Sequence, residues 1–270
     1  MLKTGLVLEG GAMRGLFSAG ILDVMLENGL KTDGLIGVSA GAAFGCNFKS
    51  GQGGRAVRYN KRFCRDPRYC SWNSWLRTGD LFGADFCYHE LPEKLDPFNC
   101  SAYERNPMEF YLVCTDVLTG KAVYRNCPKA DSECFEWMRA SGSMPLVSRM
   151  VPIGGGRYLD GALADSIPLR FFESIGYGKN IVILTQPGDT ARRHPAHCSC
   201  SNSSTGNTLH WSGRWKPAIF ITMKKWNMRN ARRKPDTFCC CVRKRFCRSN
   251  GSAMIRNCFS RLTMPGAHWR

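Results

Sequence analysis

Ser39 sits between glycines in the run Gly37-Val38-Ser39-Ala40-Gly41, the pattern G-x-S-x-G. Such a serine occupies a sharp strand-to-helix turn, with its hydroxyl raised and its small neighbours letting adjoining chain pass closely. A hydroxyl held that way can attack an acyl carbon once a base within hydrogen-bond reach takes its proton. Attack also creates an oxyanion, which needs N–H donors already in place. The motif is short and common in composition, so the chemistry requires a base and a donor loop elsewhere in the chain.

Gly10-Gly11-Ala12-Met13-Arg14-Gly15 can supply the donors. A glycine-rich turn at a helix N-terminus offers several backbone N–H groups and a favourable dipole. The plainer reading is a tight turn closing a strand–helix unit. A dinucleotide fingerprint fits poorly, because Ala12 replaces its middle glycine and the next strand ends in Ser39 rather than an acid. Asp160-Gly161-Ala162 can supply the base. Gly161 lets the chain turn away after a strand and leaves the carboxylate facing a cleft, although D-G alone is ordinarily just a turn. His89 is the sole histidine before residue 187. It lies in Tyr88-His89-Glu90 with no orienting motif and reads as structural or surface. A carboxylate acting directly on the serine is the simpler arrangement.

The elements around these motifs are those they need. Lys3 to Glu9 reads as a buried strand, and Leu16 to Asn28 as a helix with apolar residues at helical spacing, stopped by Gly29. Gly34 to Val38 is a second strand and Ala40 to Lys49 a helix of small residues. This opening predicts a parallel α/β sheet. Residues 52–107 read as irregular. Glu109 to Val117 is a strand with Lys121 to Arg125 as its antiparallel partner. Asp131 to Ala140 is a short helix with Asp131 as N-cap. Arg157 to Leu159 leads into Asp160, and Asn180 to Gln186 is the last convincing strand.

The formal charge of +17 invites a nucleic-acid reading, but its placement argues against one. Residues 188–270 hold 17 Lys/Arg and 2 Asp/Glu, whereas residues 1–187 hold 21 and 19. No run approaches the roughly 18 apolar residues of a transmembrane helix. Glu9 breaks the N-terminal apolar stretch, which makes a poor signal peptide. The expected location is cytoplasmic, with contact at a membrane surface left open. The first eight cysteines are expected as reduced, mostly buried thiols. Cys198-x-Cys200 and Cys239-Cys240-Cys241 lack the paired spacing of a zinc site, so no metal is expected.

EGGAMRG, GVSAG and DGA, in this order and spacing, resemble the signature blocks of the patatin-like phospholipase family. The likeness covers about residues 3–187 and extends to RASGSMPL and NIVILTQP. It implies a three-layer α/β/α domain at 1–187 around a mostly parallel sheet. It implies a serine lipid acyl hydrolase with no cofactor, Ser39 as nucleophile and Asp160 as general acid/base. Gly10, Gly11, Ala12, Arg14 and Gly15 carry over as the oxyanion loop, and Gly37, Gly41, Gly161 and Ala162 as motif positions. Ala12 and Ala162 stand where many members have glycine; a methyl group is tolerable if the donors are backbone N–H groups. Trp72, Trp75, Leu76, Leu81, Phe82 and Phe86 are candidates to cap an acyl pocket or touch lipid, or else ordinary packing.

Residues 188–270 do not continue in the family's amphipathic helical style. Read one base back, Met254-Ile255 must encode Asp, Asn257-Cys258 Leu, Met264-Pro265 Ala and His268-Trp269 Leu. With permissive codons, 254–269 then reads DPELLFKAYDAGRAL, and 221–229 reads YNEEVEYA. A reading-frame change near Pro187 is therefore expected, and the gene sequence across codons 180–195 decides it. The other reading is a disordered basic tail that binds acidic lipid or nucleic acid. Two functional rivals remain open from the residues alone. One is a Ser–His–Asp hydrolase using a late histidine, such as His194, His197, His210 or His268. The other is a non-catalytic or inactivated lipid-binding module. Neither reading calls for specific nucleic-acid binding.

Overall fold

The computed structural model describes residues 2–186, 218–223 and 240–242. Among the described residues, nine strands form one sheet in the order β5-β6-β3-β2-β1-β7-β8-β9, with β4 also paired to β3. The strands are β1 Lys3–Leu8, β2 Gly34–Val38, β3 Glu109–Asp116, β4 Ala122–Asn126, β5 Val151–Ile153, β6 Gly156–Asp160, β7 Tyr177–Leu184, β8 Ala218–Met223 and β9 Cys240–Val242. The run β3-β2-β1-β7-β8 is parallel, while β4, β5, β6 and β9 join antiparallel.

Strand side chains alternate between two apolar layers, as the two-residue period requires. Leu6, Leu8, Leu35, Phe110 and Leu112 pack on one face with Phe17, Ile21 and Met25 of α1 (Gly15–Glu27). Val7, Ile36, Val38 and Val113 pack on the other with Leu169 and Phe172 of α7 (Leu169–Ser174). Helices on both faces of a mostly parallel sheet are the three-layer arrangement expected. α2 (Ala40–Lys49) starts directly after Ser39. α6 (Ser132–Ser141) is capped by Asp131, whose carboxylate accepts the Cys134 N–H at 2.9 Å.

Residues 52–107 are not irregular. They form α3 (Arg55–Phe63), α4 (Trp72–Thr78), a π-helical stretch (Phe86–Leu95) and α5 (Cys100–Arg105). Short lengths hide these elements, as do Pro92 inside the π stretch and i→i+5 pairing, which lacks the ordinary helical period. The chain also continues past Gln186 with strand: β8 pairs parallel with β7, and β9 antiparallel with β8. Ala218–Met223 is too short a run to stand out from its basic surroundings. The remaining expectations about the tail, including its order, its reading frame and its histidines, lie outside the described residues.

Candidate active site

The sheet register brings residues 39 and 160 together. β2 pairs with β3 as far as Val38 opposite Val113. β4 occupies the other edge of β3 across Tyr111 to Thr115. β6 therefore takes up the edge that β2 vacates, with Asp160 opposite Cys114. Ser39 leaves the sheet at one register position and Asp160 arrives at the next. Gly161 passes so close that a Cβ there would lie 2.2 Å from the Val113 carbonyl oxygen.

Ser39 stands at φ 54 and ψ −122, a conformation that costs a non-glycine residue free energy and persists because its surroundings over-determine it. The Ser39 N–H donates to the Ser141 hydroxyl at 2.9 Å, and that hydroxyl donates to the Val113 carbonyl at 2.6 Å. The Ser39 carbonyl accepts the Ala42 and Ala43 N–H groups at 3.0 and 3.1 Å. A Cβ on Gly37 would meet the Ala42 nitrogen at 2.5 Å, and one on Gly41 the Leu8 carbonyl oxygen at 2.6 Å. Only glycine lets the elbow fold this tightly.

Asp160 is buried and fixed by three bonds. Its N–H donates to the Ser143 carbonyl at 2.8 Å, its carbonyl accepts the Thr115 hydroxyl at 2.8 Å, and its carboxylate accepts the Ala162 N–H at 2.9 Å. Burial pushes its carboxyl above the usual aspartate value; the Ala162 N–H and the facing Ser39 hydroxyl pull it back part of the way.

The glycine loop lies against the serine: a Cβ on Gly10 would be 3.1 Å from the Ser39 Cβ. A latch from the end of β7 holds the loop. The Thr185 N–H donates to the Glu9 carboxylate at 2.6 Å, and the Thr185 hydroxyl to the Gly10 carbonyl at 2.6 Å. Burial raises the Glu9 pKa, opposed chiefly by the Thr185 N–H and hydroxyl, both of which reach its carboxylate. The Arg14 N–H donates to the Gly11 carbonyl and the Gly15 N–H to Ala12 and Met13, so both are engaged within the turn. Among the described residues, the N–H groups of Gly10, Gly11 and Ala12 have no acceptor.

A cavity of about 130 Å³ opens beside Ser39 and runs along α2 past Ala43 and Cys46. Its walls include Phe44, Tyr59, Tyr69, Leu91 and Met138. Arg55 lies at its far end, buried and bonded to Asn47 and Asp96. Of the six apolar candidates in the sequence, Phe82 lines the cavity, Phe86 is core, and Trp72 and Leu76 face solvent. His89 lies between Glu93 and Glu136, half exposed. No group of His, Cys, Asp and Glu able to hold a metal occurs among the described residues. The eight cysteines from Cys46 to Cys134 are free thiols, four of them buried.

Ser141, Ser143, Thr115 and Thr185 have no motif in the sequence that announces them. RASGSMPL was legible as a segment, but the hydrogen bonds of its two serines depend on partners in other elements.

The sequence model of the patatin-like phospholipase family matches residues 6–172. The chain belongs to that family. The match spans the glycine loop, the elbow and Asp160. Among individual relatives, the patatin-like chain is 27% identical over 202 residues to the uncharacterized protein YjjU of Escherichia coli, covering 68% of this chain and 52% of that one. It is 24% identical over 223 residues to lysophospholipase nte1 of Aspergillus oryzae, covering 80% of this chain and 14% of that one. The chain thus spans about half the length of the bacterial relative and about a seventh of the fungal one. A solved structure, VipD from Legionella pneumophila, aligns over 71% of this chain and 52% of its own at 13% identity and a TM-score of 0.39. No helix among the described residues is long and apolar enough to cross a membrane.

Proposed function

We propose that this protein hydrolyses carboxylic esters of lipids through an acyl-enzyme on Ser39. The observation that carries the reading is the buried Ser39–Asp160 pair, beside unengaged loop amides and at the mouth of an apolar cavity. The name of the fungal relative, a lysophospholipase, supports the same substrate class.

In this reading the Asp160 carboxylate takes the Ser39 proton as Oγ attacks the ester carbonyl. The N–H groups of Gly10, Gly11 and Ala12, free of internal acceptors, bind the oxyanion. Asp160 then protonates the departing alcohol, leaving the acyl group on Ser39. Water enters, gives its proton to Asp160 and attacks the acyl carbon; Ser39 leaves with the proton returned. The raised Asp160 pKa suits both halves, because it makes the carboxylate a stronger base while keeping more of the acid form available near the operating pH. The acyl chain lies along α2 toward Arg55.

A fluorophosphonate probe and a series of esters test this directly. Wild type should be labelled and hydrolyse esters, while Ser39→Ala should do neither. Labelling that persists in Ser39→Ala would overturn the assignment.

A further inference from the structure

α4 turns two large apolar side chains outward, Trp72 at 68% exposure and Leu76 at 75%. Four residues apart, they share one helix face. Leu146, 90% exposed, is clamped beside them. Trp75 Nε1 donates to the Leu146 carbonyl at 2.9 Å, and the Leu81 N–H donates to the Val147 carbonyl at 2.8 Å. The buried Asp80 carboxylate accepts the Arg149 backbone N–H at 2.8 Å and its guanidinium at 2.8 and 3.1 Å. Met150, also exposed, extends the ridge. Leu146 stands at φ 71, where large residues rarely sit, so its outward display is imposed by these clamps. Single exposed apolar side chains are unremarkable, but a fixed ridge of four marks a contact surface.

The exposed charge of the two segments carrying the ridge has one sign, since Asp80 is buried against Arg149. Residues 71–79 and 144–159 contain Arg77, Arg149 and Arg157 and no acid. Arg77 and Arg157 are exposed and have no ion-pair partner among the described residues. Arg157 lines a shallow groove with Leu146, Arg149 and Met150. The ridge also adjoins the site. Ser143 holds Asp160, Met144 lines the cavity, and Leu146 follows two residues later, at most about 7 Å along the chain.

We propose that α4 and residues 145–150 dock this protein onto an anionic phospholipid bilayer, with the apolar ridge entering the interface and the arginines meeting headgroup phosphates. Tryptophan suits such a boundary, with an apolar ring and a polar edge. The inference rests on the lipid hydrolase reading, since the ridge presents the cavity mouth to the surface where acyl chains are held.

Sedimentation of the full chain with vesicles tests it, using phosphatidylglycerol–phosphatidylcholine mixtures against phosphatidylcholine alone. Wild type should favour the mixture. Trp72→Ser/Leu76→Gln should lower vesicle affinity at least about tenfold, the effect of roughly 1.4 kcal/mol of lost burial, while hydrolysis of a soluble short-chain ester is unchanged. Arg77→Gln/Arg157→Gln should remove the preference for phosphatidylglycerol. Binding by the Trp72/Leu76 variant equal to wild type would overturn the proposal, as would happen if the basic residues beyond 187 held the vesicle. So would a ridge whose substitution changes only self-association in gel filtration. Ser39→Ala separates the two readings: it should bind vesicles normally and hydrolyse nothing. If wild type hydrolyses no ester yet shows the expected vesicle pattern, the hydrolase reading alone fails.

Discussion

The Ser141 hydroxyl stands between the backbones of Ser39 and Val113, accepting from the first at 2.9 Å and donating to the second at 2.6 Å. One side chain thereby ties the elbow to β3, the strand against which β6 sets Asp160 opposite Cys114. Ser141→Ala should strand a buried N–H and a buried carbonyl, each costing about 1–3 kcal/mol. We expect a lower urea midpoint and a fall in kcat of about tenfold to a hundredfold, with KM little changed, because geometry rather than binding is lost. A stable variant with unaltered kcat would remove Ser141 from the positioning role.

Asp160→Asn should separate activity from stability. Asn keeps an acceptor for the Ala162 N–H but cannot take the serine proton, so kcat should drop by roughly 10²- to 10⁴-fold. The sign of the stability effect follows from the raised carboxyl pKa. A carboxyl whose folded pKa exceeds its unfolded value binds more protons when folded. Its contribution to stability therefore falls as pH rises from the unfolded to the folded value, and the cost persists above both. Asp160→Asn removes that cost, and calorimetry at neutral pH should show a higher Tm than wild type. A lower Tm would mean that the carboxylate is stabilising after all.

The same raised pKa shapes the pH profile. kcat/KM should fall on the acid side with a midpoint above the ordinary aspartate value of 3.8, as Asp160 becomes protonated and can no longer act as base. A stopped-time assay with a soluble ester from acid to neutral pH would read this limb. Flat activity through that range would exclude Asp160 as the titrating base.

Thr185→Val should free the glycine loop while preserving side-chain volume. It removes the hydroxyl from the Gly10 carbonyl and the Glu9 carboxylate but leaves the Thr185 N–H on Glu9. Slower acylation, seen as a smaller pre-steady-state rate, is expected, and Thr185→Ser should restore it. Failure of Ser to rescue would point to packing rather than the hydrogen bond.

The cavity walls should set chain-length preference. Ala43 and Cys46 follow Ser39 along α2 and line the cavity. Ala43→Phe should therefore block the passage nearer the serine than Cys46→Phe. Across an ester series, both variants should prefer shorter acyl chains than wild type, with Ala43→Phe the shorter of the two. Unchanged preference in both would move the acyl chain elsewhere.

The sequence made the proposed reacting groups visible because they are tied to backbone geometry. Gly37 and Gly41 are demanded by a turn that leaves no space for a Cβ, and Asp160-Gly161 by the approach to Val113. The first strand was legible from its apolar run, and Leu6, Val7 and Leu8 indeed face opposite apolar layers. The cavity walls were not. Tyr59 comes from a short helix, Leu91 from the π stretch Phe86–Leu95, and Tyr69 and Phe98 from connecting loops with no period to read. Nor could the sequence reveal which loop amides are engaged, since Arg14 and Gly15 look like Gly10 and Gly11 until the turn closes on itself.

The position of β7 has a practical corollary for anyone shortening this protein. Its Asn180–Leu184 backbone is covered on one side by β1 and on the other by β8. A fragment stopping at residue 187 would bare a row of main-chain donors and acceptors along an apolar strand, an invitation for identical molecules to zip together. Such a fragment would be lost to aggregates before its active site could be judged. Designers should retain the later strands or add a charged blocking residue to that edge.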